Sequence, residues 1–582
     1  MKKFSVFEVL KTSEHSIMAL LAVIVGIAAG FGAVGLRYLI NFFQWIGYGS
    51  SDSLLDVVTS VPWYLRIAIP ASGGLGVGLM VYFLAREAKG HGVPEVMEAV
   101  AVHSGVIRKR IVVVKSLASA ICIGSGGSVG REGPIVQIGS AIGSVLGQLI
   151  NTSADRMRTL VGCGAAAGIA ATFNAPIAGS MFALEIVLGD FGLATFSPIV
   201  IASVTATAVS RHFLGNYPAF VVPVYQLVSA WEFPLYVTLG FFCALIAFFF
   251  IKTLYYAEDV FDRFQFPEYL KASVGGLLLG FMGLVFPQIL GVGYGGIDLS
   301  LAQQISWWLL LLLVAFKILA TAITIGSGGS GGIFAPSLFL GAMAGGAYGM
   351  LVNGIFPNVT ASAGAYGIVG MAAVVSATTH GPLTAILMLF EMTGEYRIIL
   401  PLMITCIISS LAVRVLSRES IYTLKLIRRG VDIQAGREVN ILKSIPVKDV
   451  MNSEVETVTE GMSMGEISER IAKSKYNSFP MLDTAGRLKG ILSYNDYRDA
   501  IFNDDLKDLV IARDLATMKV VTVTAEDNLY NALELITQKD FSIMPVVSPA
   551  DEAELLGVLS RRDIIGAYDK AVIKKSILNG AK

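Results

Sequence analysis

The stretch IGSGGSVGREGP, Ile123 to Pro134, returns 202 residues later as IGSGGSGGIFAP, Ile325 to Pro336. The same offset pairs Lys115 with Lys317, Gly139 with Gly341 and Gly143 with Gly345. A second echo runs at an offset of 206, pairing Pro176 in FNAPIAGSMFALE with Pro382 in THGPLTAILMLFE, and Glu185 with Glu391. One chain therefore carries the same unit twice. Each Gly-rich copy ends in Pro and leads into an apolar segment, which predicts a helix start with Pro in the first turn, where its missing N–H is no loss. Such an N-terminus has unpaired N–H groups and the positive end of a dipole, and so suits an anion.

Composition places this unit in a membrane. Of 582 residues, 54% are hydrophobic and 15% charged, where a soluble protein has about a quarter charged. The mean hydropathy is +0.67. Residues 17–425 are mostly long apolar runs, and residues 440–582 read as ordinary soluble sequence. That pattern is a polytopic membrane protein with a soluble C-terminal region. The balance of 44 basic and 44 acidic residues gives no footprint for nucleic acid. Cys122, Cys163, Cys243 and Cys406 all fall in apolar segments and imply no disulfide framework. No cleavable signal follows Lys2 and Lys3, and Ile17 to Leu39 is long enough to span.

Taken in order, apolar stretches near 17–40, 64–84, 196–210, 235–257, 272–290, 306–325 and 396–416 can each cross the bilayer. Those at 112–123, 135–150, 161–172, 177–188, 337–352 and 366–390 are shorter, cut by Gly, Pro or a charge. Short or broken segments at matching places in two halves point to a site of discontinuous helices near mid-membrane. Basic clusters at Lys2, Lys3 and Lys11, at Arg108 to Arg110, and at Arg428 and Arg429 put both chain ends in the cytoplasm. After a linker, two similar units follow. DVM (449–451), TVT (457–459), SFPMLD (478–483) and GILSYND (490–496) are echoed by DLATM (514–518), TVT (522–524), IMPVV (543–547) and GVLSRRD (557–563). Short β-rich runs alternate with amphipathic stretches at 463–474 and 528–539, an α/β pattern.

Glycines also let transmembrane helices pack closely. The repeat in register, with Arg131 and Glu132 inside one copy, points beyond packing, because ionisable residues in a membrane segment mark pathways. No Gly-Lys-Ser/Thr follows, so a phosphate cradle is disfavoured.

Gly130-Arg131-Glu132-Gly133-Pro134, Gly332-Ile333-Phe334-Ala335-Pro336, Gly90-His91-Gly92-Val93-Pro94-Glu95 and Tyr422 in SIYTLKLI resemble the motifs of the CLC family of chloride channels and proton-coupled chloride exchangers. The C-terminal pair of units resembles a tandem CBS domain, or Bateman module. The resemblance implies an all-α polytopic membrane domain of two inverted repeats plus a cytoplasmic α/β tandem CBS domain. The expected divisions are a cytoplasmic N-terminus at 1–15, the membrane domain at 16–430 with repeats near 60–210 and 270–416, a linker at 431–446, and CBS units at 447–503 and 511–572. It further implies a homodimer in the cell membrane, each subunit with its own anion path, with chloride as the transported ligand. No metal, required cofactor or enzymatic activity is implied.

By matching, the N–H groups of Ile333 and Phe334 form the central anion site, and Arg131 to Gly133 the outer one. Partial charges from amides hold a dehydrated anion without the slow release that a fixed cation would bring. Glu132 is the expected gate: its carboxylate occupies the anion's place and swings out when protonated or displaced. Read alone, Glu132 could instead pair with Arg131, and Tyr422 could be an interfacial tyrosine. In the family the Tyr422 hydroxyl points at the central anion.

Two departures stand out. The family's serine in the first motif is His91 here, beside Gly92, a ring that can donate N–H or turn away. Exchangers in the family place an inner proton-carrying glutamate directly after the residue matching Glu185, and here that position is Ile186. Isoleucine relays no proton, which favours a passive channel, voltage- or pH-gated. A chloride/proton antiporter stays open, with Glu132, Glu185 and His91 as titratable groups. Glu185, echoed by Glu391, also reads as a buried packing carboxylate. In the module, Ser493 with Asp496 and Ser560 with Asp563 match ribose-holding positions of adenosine-binding CBS pairs, and Thr457, Thr459, Thr522 and Thr524 sit where phosphate or base contacts fall. An adenine nucleotide is therefore a candidate ligand, beside a module that serves only as a dimer contact. A membrane-bound nucleotide sensor or enzyme is the remote alternative, and no nucleophile–base or metal cluster in residues 1–430 supports it.

Overall fold

The computed structural model describes residues 14–216, 228–431, 442–443, 445–474, 476–498, 507, 509–539 and 541–580. Residues 1–13 of the expected N-terminal segment, 432–441 and 444 of the expected linker, 475 and 499–503 of the first CBS unit and 540 of the second lie outside these. The chain divides into two compact units, residues 1–429 and 430–582.

The first unit is helical. Among the described residues, eight helices are long and apolar enough to cross a membrane. Seven answer to the long stretches of the sequence. The eighth, Phe334–Ile355, has 22 residues where only the short run 337–352 was expected, because the helix begins inside the Gly-rich motif itself. The run 366–390 is two helices, Ala363–Thr379 and Pro382–Thr393, broken at His380 and restarted by Pro382 at the first turn. The equivalent break in the first half lies at Asn174, between Ala154–Phe173 and Pro176–Phe182, which runs on as a π-helical turn, Ala183–Leu188.

Equivalent elements of the two halves pack antiparallel. A Cβ placed on Gly74 or Gly78 of Trp63–Phe83 would strike Ala272 or Tyr269, and one on Gly276 or Gly280 of Glu268–Val285 would strike Pro70 or Ile67. Contact positions ascend along one helix and descend along the other, as a two-fold axis in the membrane plane requires. The short helices obey the same rule. Glu391, at the end of Pro382–Thr393, accepts the N–H groups of Ile177 (3.0 Å) and Ala178 (2.7 Å) at the start of Pro176–Phe182. Glu185 in turn accepts those of Leu383 (3.1 Å) and Thr384 (2.7 Å). Each carboxylate thus satisfies orphan donors of the other half's helix, where its charge also meets the positive dipole end. The chain is built from two inverted repeats.

Within each half the motif glycines also serve packing. Gly139 of Glu132–Leu149 lies against the Gly164 carbonyl, and Gly341 of Phe334–Ile355 against that of Gly370, with no room for a methyl at either.

The second unit holds two three-stranded sheets of the same design. β1 (Val458–Thr459) runs parallel to β2 (Ser478–Leu482), which pairs antiparallel with β3 (Leu488–Ser493). β4 (Val523–Thr524), β5 (Ile543–Val547) and β6 (Leu555–Ser560) repeat this order, with a register shift at the matching point, Met481/Leu482 and Val546/Val547. The amphipathic helices Met464–Lys473 and Leu529–Lys539 bury Ile467 and Ile536 into the respective cores.

Gly341→Ala is expected to lower stability by about 1–3 kcal/mol, the cost of overpacking a core. Gly354→Ala, on the same helix with open space around its Cβ, is expected to be neutral or slightly stabilising. Unfolding of the two variants in detergent compares them directly.

Candidate functional site

The two Gly-rich loops pair with each other at the centre of the membrane unit. Gly130 N–H donates to Gly332 O at 2.7 Å, and Gly332 N–H returns the bond to Gly130 O at 2.5 Å. The serine two residues before each of these glycines reaches into the opposite half. Ser128 Oγ donates to Ile289 O (2.9 Å) and meets Thr321 Oγ1 (3.3 Å), while Ser330 Oγ donates to Ala88 O (2.9 Å) and meets Ser119 Oγ (2.9 Å). Lys115 Nζ, fully buried, donates to Ala88 O (2.9 Å) and Gly90 O (2.8 Å); Lys317 Nζ, equally buried, donates to Ile289 O (2.9 Å) and Gly291 O (3.0 Å). This exposes a third echo. GHGVPE at Gly90 matches GVGYGG at Gly291, each with left-handed glycines and each opening a short helix, Val93–Ala101 and Tyr294–Leu301. The offset is 201, so the 202 register of the main repeat hid it.

The loop pair brings helix N-termini together. Glu132–Leu149 starts at Gly130:Gly332 from one side and Phe334–Ile355 from the other. The His91–Gly92 turn lies on Gly133, close enough that a Cβ on Gly92 would stand 2.8 Å from Gly133 O. The Tyr422 ring, also buried, is 5.9 Å from that of His91. Among the described residues His91 Nδ1, shut off from solvent, has no hydrogen-bond partner. The N–H groups of Ile333 and Phe334 fall where a helix supplies no acceptor of its own. Glu132 thus meets the start of Phe334–Ile355, and the turn at His91 meets Gly133 and Tyr422, across long stretches of chain.

Glu132 is 2% exposed. Its Oε2 accepts the Ala335 N–H at 3.4 Å, on the first turn of the other half's helix, and its Oε1 has no partner. Gly332 admits this carboxylate, because a Cβ there would sit 3.0 Å from Oε2. Arg131 makes no ion pair with Glu132 among the described residues. Its guanidinium turns to Thr172 O (3.4 Å) and the face of Tyr294 (5.6 Å). The expected alternative of an Arg131–Glu132 pair is therefore not what the chain forms, and Arg131 leaves the carboxylate to the helix.

Behind the site, Glu95 takes Lys425 (3.3 Å) and Arg429 (3.2 Å), and Arg429 also reaches Glu98 (3.2 Å), tying Val93–Ala101 to Thr423–Arg428. Glu185 stands apart, with both oxygens engaged as a helix cap and Thr384 Oγ1 adding a third bond at 2.7 Å. Ile186 is buried against Gly381.

Residues 73–414 match the family described as voltage gated chloride channel, and residues 447–503 and 512–570 each match the CBS domain. The chain belongs to the voltage gated chloride channel family. It is 36% identical, over 71% of its length and 98% of the relative's, to a putative ClcB-like chloride channel protein of Ralstonia nicotianae. It is 32% identical, over 69% and 97%, to the voltage-gated ClC-type chloride channel ClcB of Escherichia coli O157:H7. Among solved structures, a slow cyanobacterial Cl⁻/H⁺ antiporter superposes with a TM-score of 0.65 at 26% identity, covering 71% of this chain and 97% of that one. A eukaryotic CLC transporter, 20% identical, covers 96% of this chain and 99% of that one at a TM-score of 0.63, which speaks for the fold of both units. The expected recognition, CLC fold and CBS pair are thus met, and the protein is a polytopic member of a channel and transporter family.

In the CBS units, Asp496 Oδ2 accepts Ser493 N–H (2.7 Å) and Oγ–H (2.6 Å), and Asp563 Oδ2 accepts Ser560 N–H (2.9 Å) and Oγ–H (2.5 Å). These serines cap the helices that follow β3 and β6. Thr524 is held likewise by Asp527 (2.7 and 2.9 Å). The hydroxyls of Thr457, Thr459 and Thr522 have no such partner among the described residues.

Glu185→Ala and Glu391→Ala are each expected to destabilise the membrane unit by about 1–2 kcal/mol, as lost helix caps do. Flux per folded protein should be unchanged in both. A Glu185→Ala variant of full stability and altered proton response would instead make Glu185 a proton carrier.

Proposed function

We propose that the protein conducts chloride passively along a path gated by the Glu132 carboxylate, with the CBS pair as regulator. The hydrogen bond from Ala335 N–H to Glu132 carries this reading. A carboxylate and a chloride ion compete for the same donors, at a helix N-terminus that stabilises either. Protonation removes the charge the helix holds, so acid on the side from which Glu132 is reached frees the place for chloride and raises flux. Ile333 and Phe334 N–H groups, with Tyr422 and His91 on the other side, form the second seat. His91 Nδ1, buried without a partner, supports a ring that faces the ion. The absence of a carboxylate at Ile186 supports passive flow. Coupled chloride/proton exchange is the second reading, favoured by the likeness to the cyanobacterial antiporter.

The working unit in this reading is a homodimer in the cell membrane, both chain ends cytoplasmic. In the CBS pair, Asp496 and Asp563 each keep one oxygen to accept from the ribose hydroxyls of an adenine nucleotide.

Two measurements test this. In reconstituted protein under crossed chloride and proton gradients, the reversal potential is expected to follow chloride alone; a shift with the proton gradient establishes the exchanger. Glu132→Ala should conduct at a rate independent of external pH, and flux that keeps its pH dependence would place the gate elsewhere. Separately, ATP binding to the full-length protein should weaken at least about tenfold when Asp496 and Asp563 are both changed to Ala, a loss of about 1.4 kcal/mol. Unchanged affinity would remove the ribose assignment.

A further inference from the structure

The two halves turn one corner with different residues. Asn174 ends Ala154–Phe173 and His380, 206 positions on, ends Ala363–Thr379. Both are left-handed, with φ 59°, ψ 33° and φ 58°, ψ 26°. Asn and His are among the few side chains that accept this conformation. The Asn174 side chain is fully used, with Oδ1 accepting from Arg211 Nε at 2.6 Å and Nδ2 donating to Asn216 Oδ1 at 3.0 Å. His380 instead leaves Nε2 shut off from solvent without a partner. A buried polar atom left so costs about 1–3 kcal/mol. Packing alone gives no reason for histidine at a corner that asparagine turns equally well.

The groups around this corner are few. The end of the last span contributes Arg414, whose Nη2 donates to His380 O at 3.3 Å. The first half contributes Ile186 and Glu185: a Cβ on Gly381 would stand 2.9 Å from Ile186 Cδ1 and 3.2 Å from Glu185 Oε2. The loop after Arg414, which carries Arg418 and Glu419, returns to Ile421, whose N–H donates to Thr378 O at 2.9 Å. Tyr422 follows directly. The peptide that positions Tyr422 is therefore pinned two residues before His380, and the span leading to it is held by His380 O.

We infer that His380 is a proton-binding site on the face where the chain passes from Arg429 into residues 430–582, and that its charge sets the position of Tyr422 and so the flux. The inference rests on the reading of Tyr422 as a wall of the anion path. The neutral ring offers one lone pair; a proton from the adjoining aqueous phase binds there, and no other bond changes. The imidazolium then stands beside the Arg414 guanidinium, and like charges repel. Glu185 is committed to Leu383 and Thr384 and offers only part of its charge. Arg414 releases His380 O, the loop slackens, and Tyr422 withdraws. The added positive charge also raises the local concentration of anions. Both effects act in the same direction, so acid on this face increases chloride flux.

The test uses full-length protein in proteoliposomes of one orientation. Burial and the Arg414 guanidinium hold the His380 ring below the usual histidine range, to about 4, so lowering pH on this face from about 6 to about 4 should raise flux at least about threefold. His380→Asn, which suits the corner as Asn174 does, should hold flux low and flat against pH on this face. The response to the opposite face, which belongs to Glu132, should persist in it. His380→Arg, permanently charged, should be flat and high. A slope that survives His380→Asn overturns the assignment. Tyr422→Ala with unchanged flux and slope would sink the reading of Tyr422 instead, and a wild type without response to the opposite face would sink that of Glu132.

Discussion

Two hydrogen bonds between Gly130 and Gly332 set most of what else the membrane unit can do. Non-helical backbone survives at membrane depth only if its polar groups are paired inside the protein. Here the two loops pair with each other, and their serines take up carbonyl and hydroxyl partners in the opposite half. The lysines at 115 and 317 satisfy the carbonyls of the two left-handed loops that lie behind. Once these groups are paired, the helices that start from the loops have no acceptor of their own for their first N–H groups. The Glu132 carboxylate meets one of these donors, Ala335 N–H, across the loop pair.

That dependence explains which parts of the molecule were legible in the sequence. The long spans, the 202-residue repeat and the CBS pair follow from apolar length and spacing, which are local properties. Phe334–Ile355 was underestimated because its Gly-rich first turn does not look helical; tertiary pairing of Gly332 starts the helix there. The GVGYGG echo at Gly291 was missed because its register slips by one residue and its side chains differ. What it shares with GHGVPE is backbone conformation, which left-handed glycines permit and composition does not display. Glu185 and Glu391 were visible as an echo. Their task as each other's helix caps was not, because the partner N–H groups belong to the opposite half, about 200 residues away in sequence.

The site residues show the same division. Glu132, Ile333, Phe334, His91 and Tyr422 came from motifs, and the loop pair is what brings Glu132 to the start of the other half's helix. Arg131, next to Glu132 in sequence, turns away to Thr172 and Tyr294. Adjacent positions at a helix start point in different directions, and Tyr294 offers the guanidinium an aromatic face.

The frame is nearly symmetric, and the side chains of the candidate site break that symmetry. Lys115 and Lys317, Ser128 and Ser330, and Glu185 and Glu391 keep the same chemistry in both halves, and each does structural work on backbone. Where the halves diverge, the residue differs in charge or size: Glu132 against Phe334, His91 against Val292, Asn174 against His380. A perfectly two-fold site would hold an anion equally from both faces and give neither face control. A carboxylate stands at one helix start only, and an imidazole with an unpartnered Nε2 at one corner only; in the proposed reading these give each face its own titratable group.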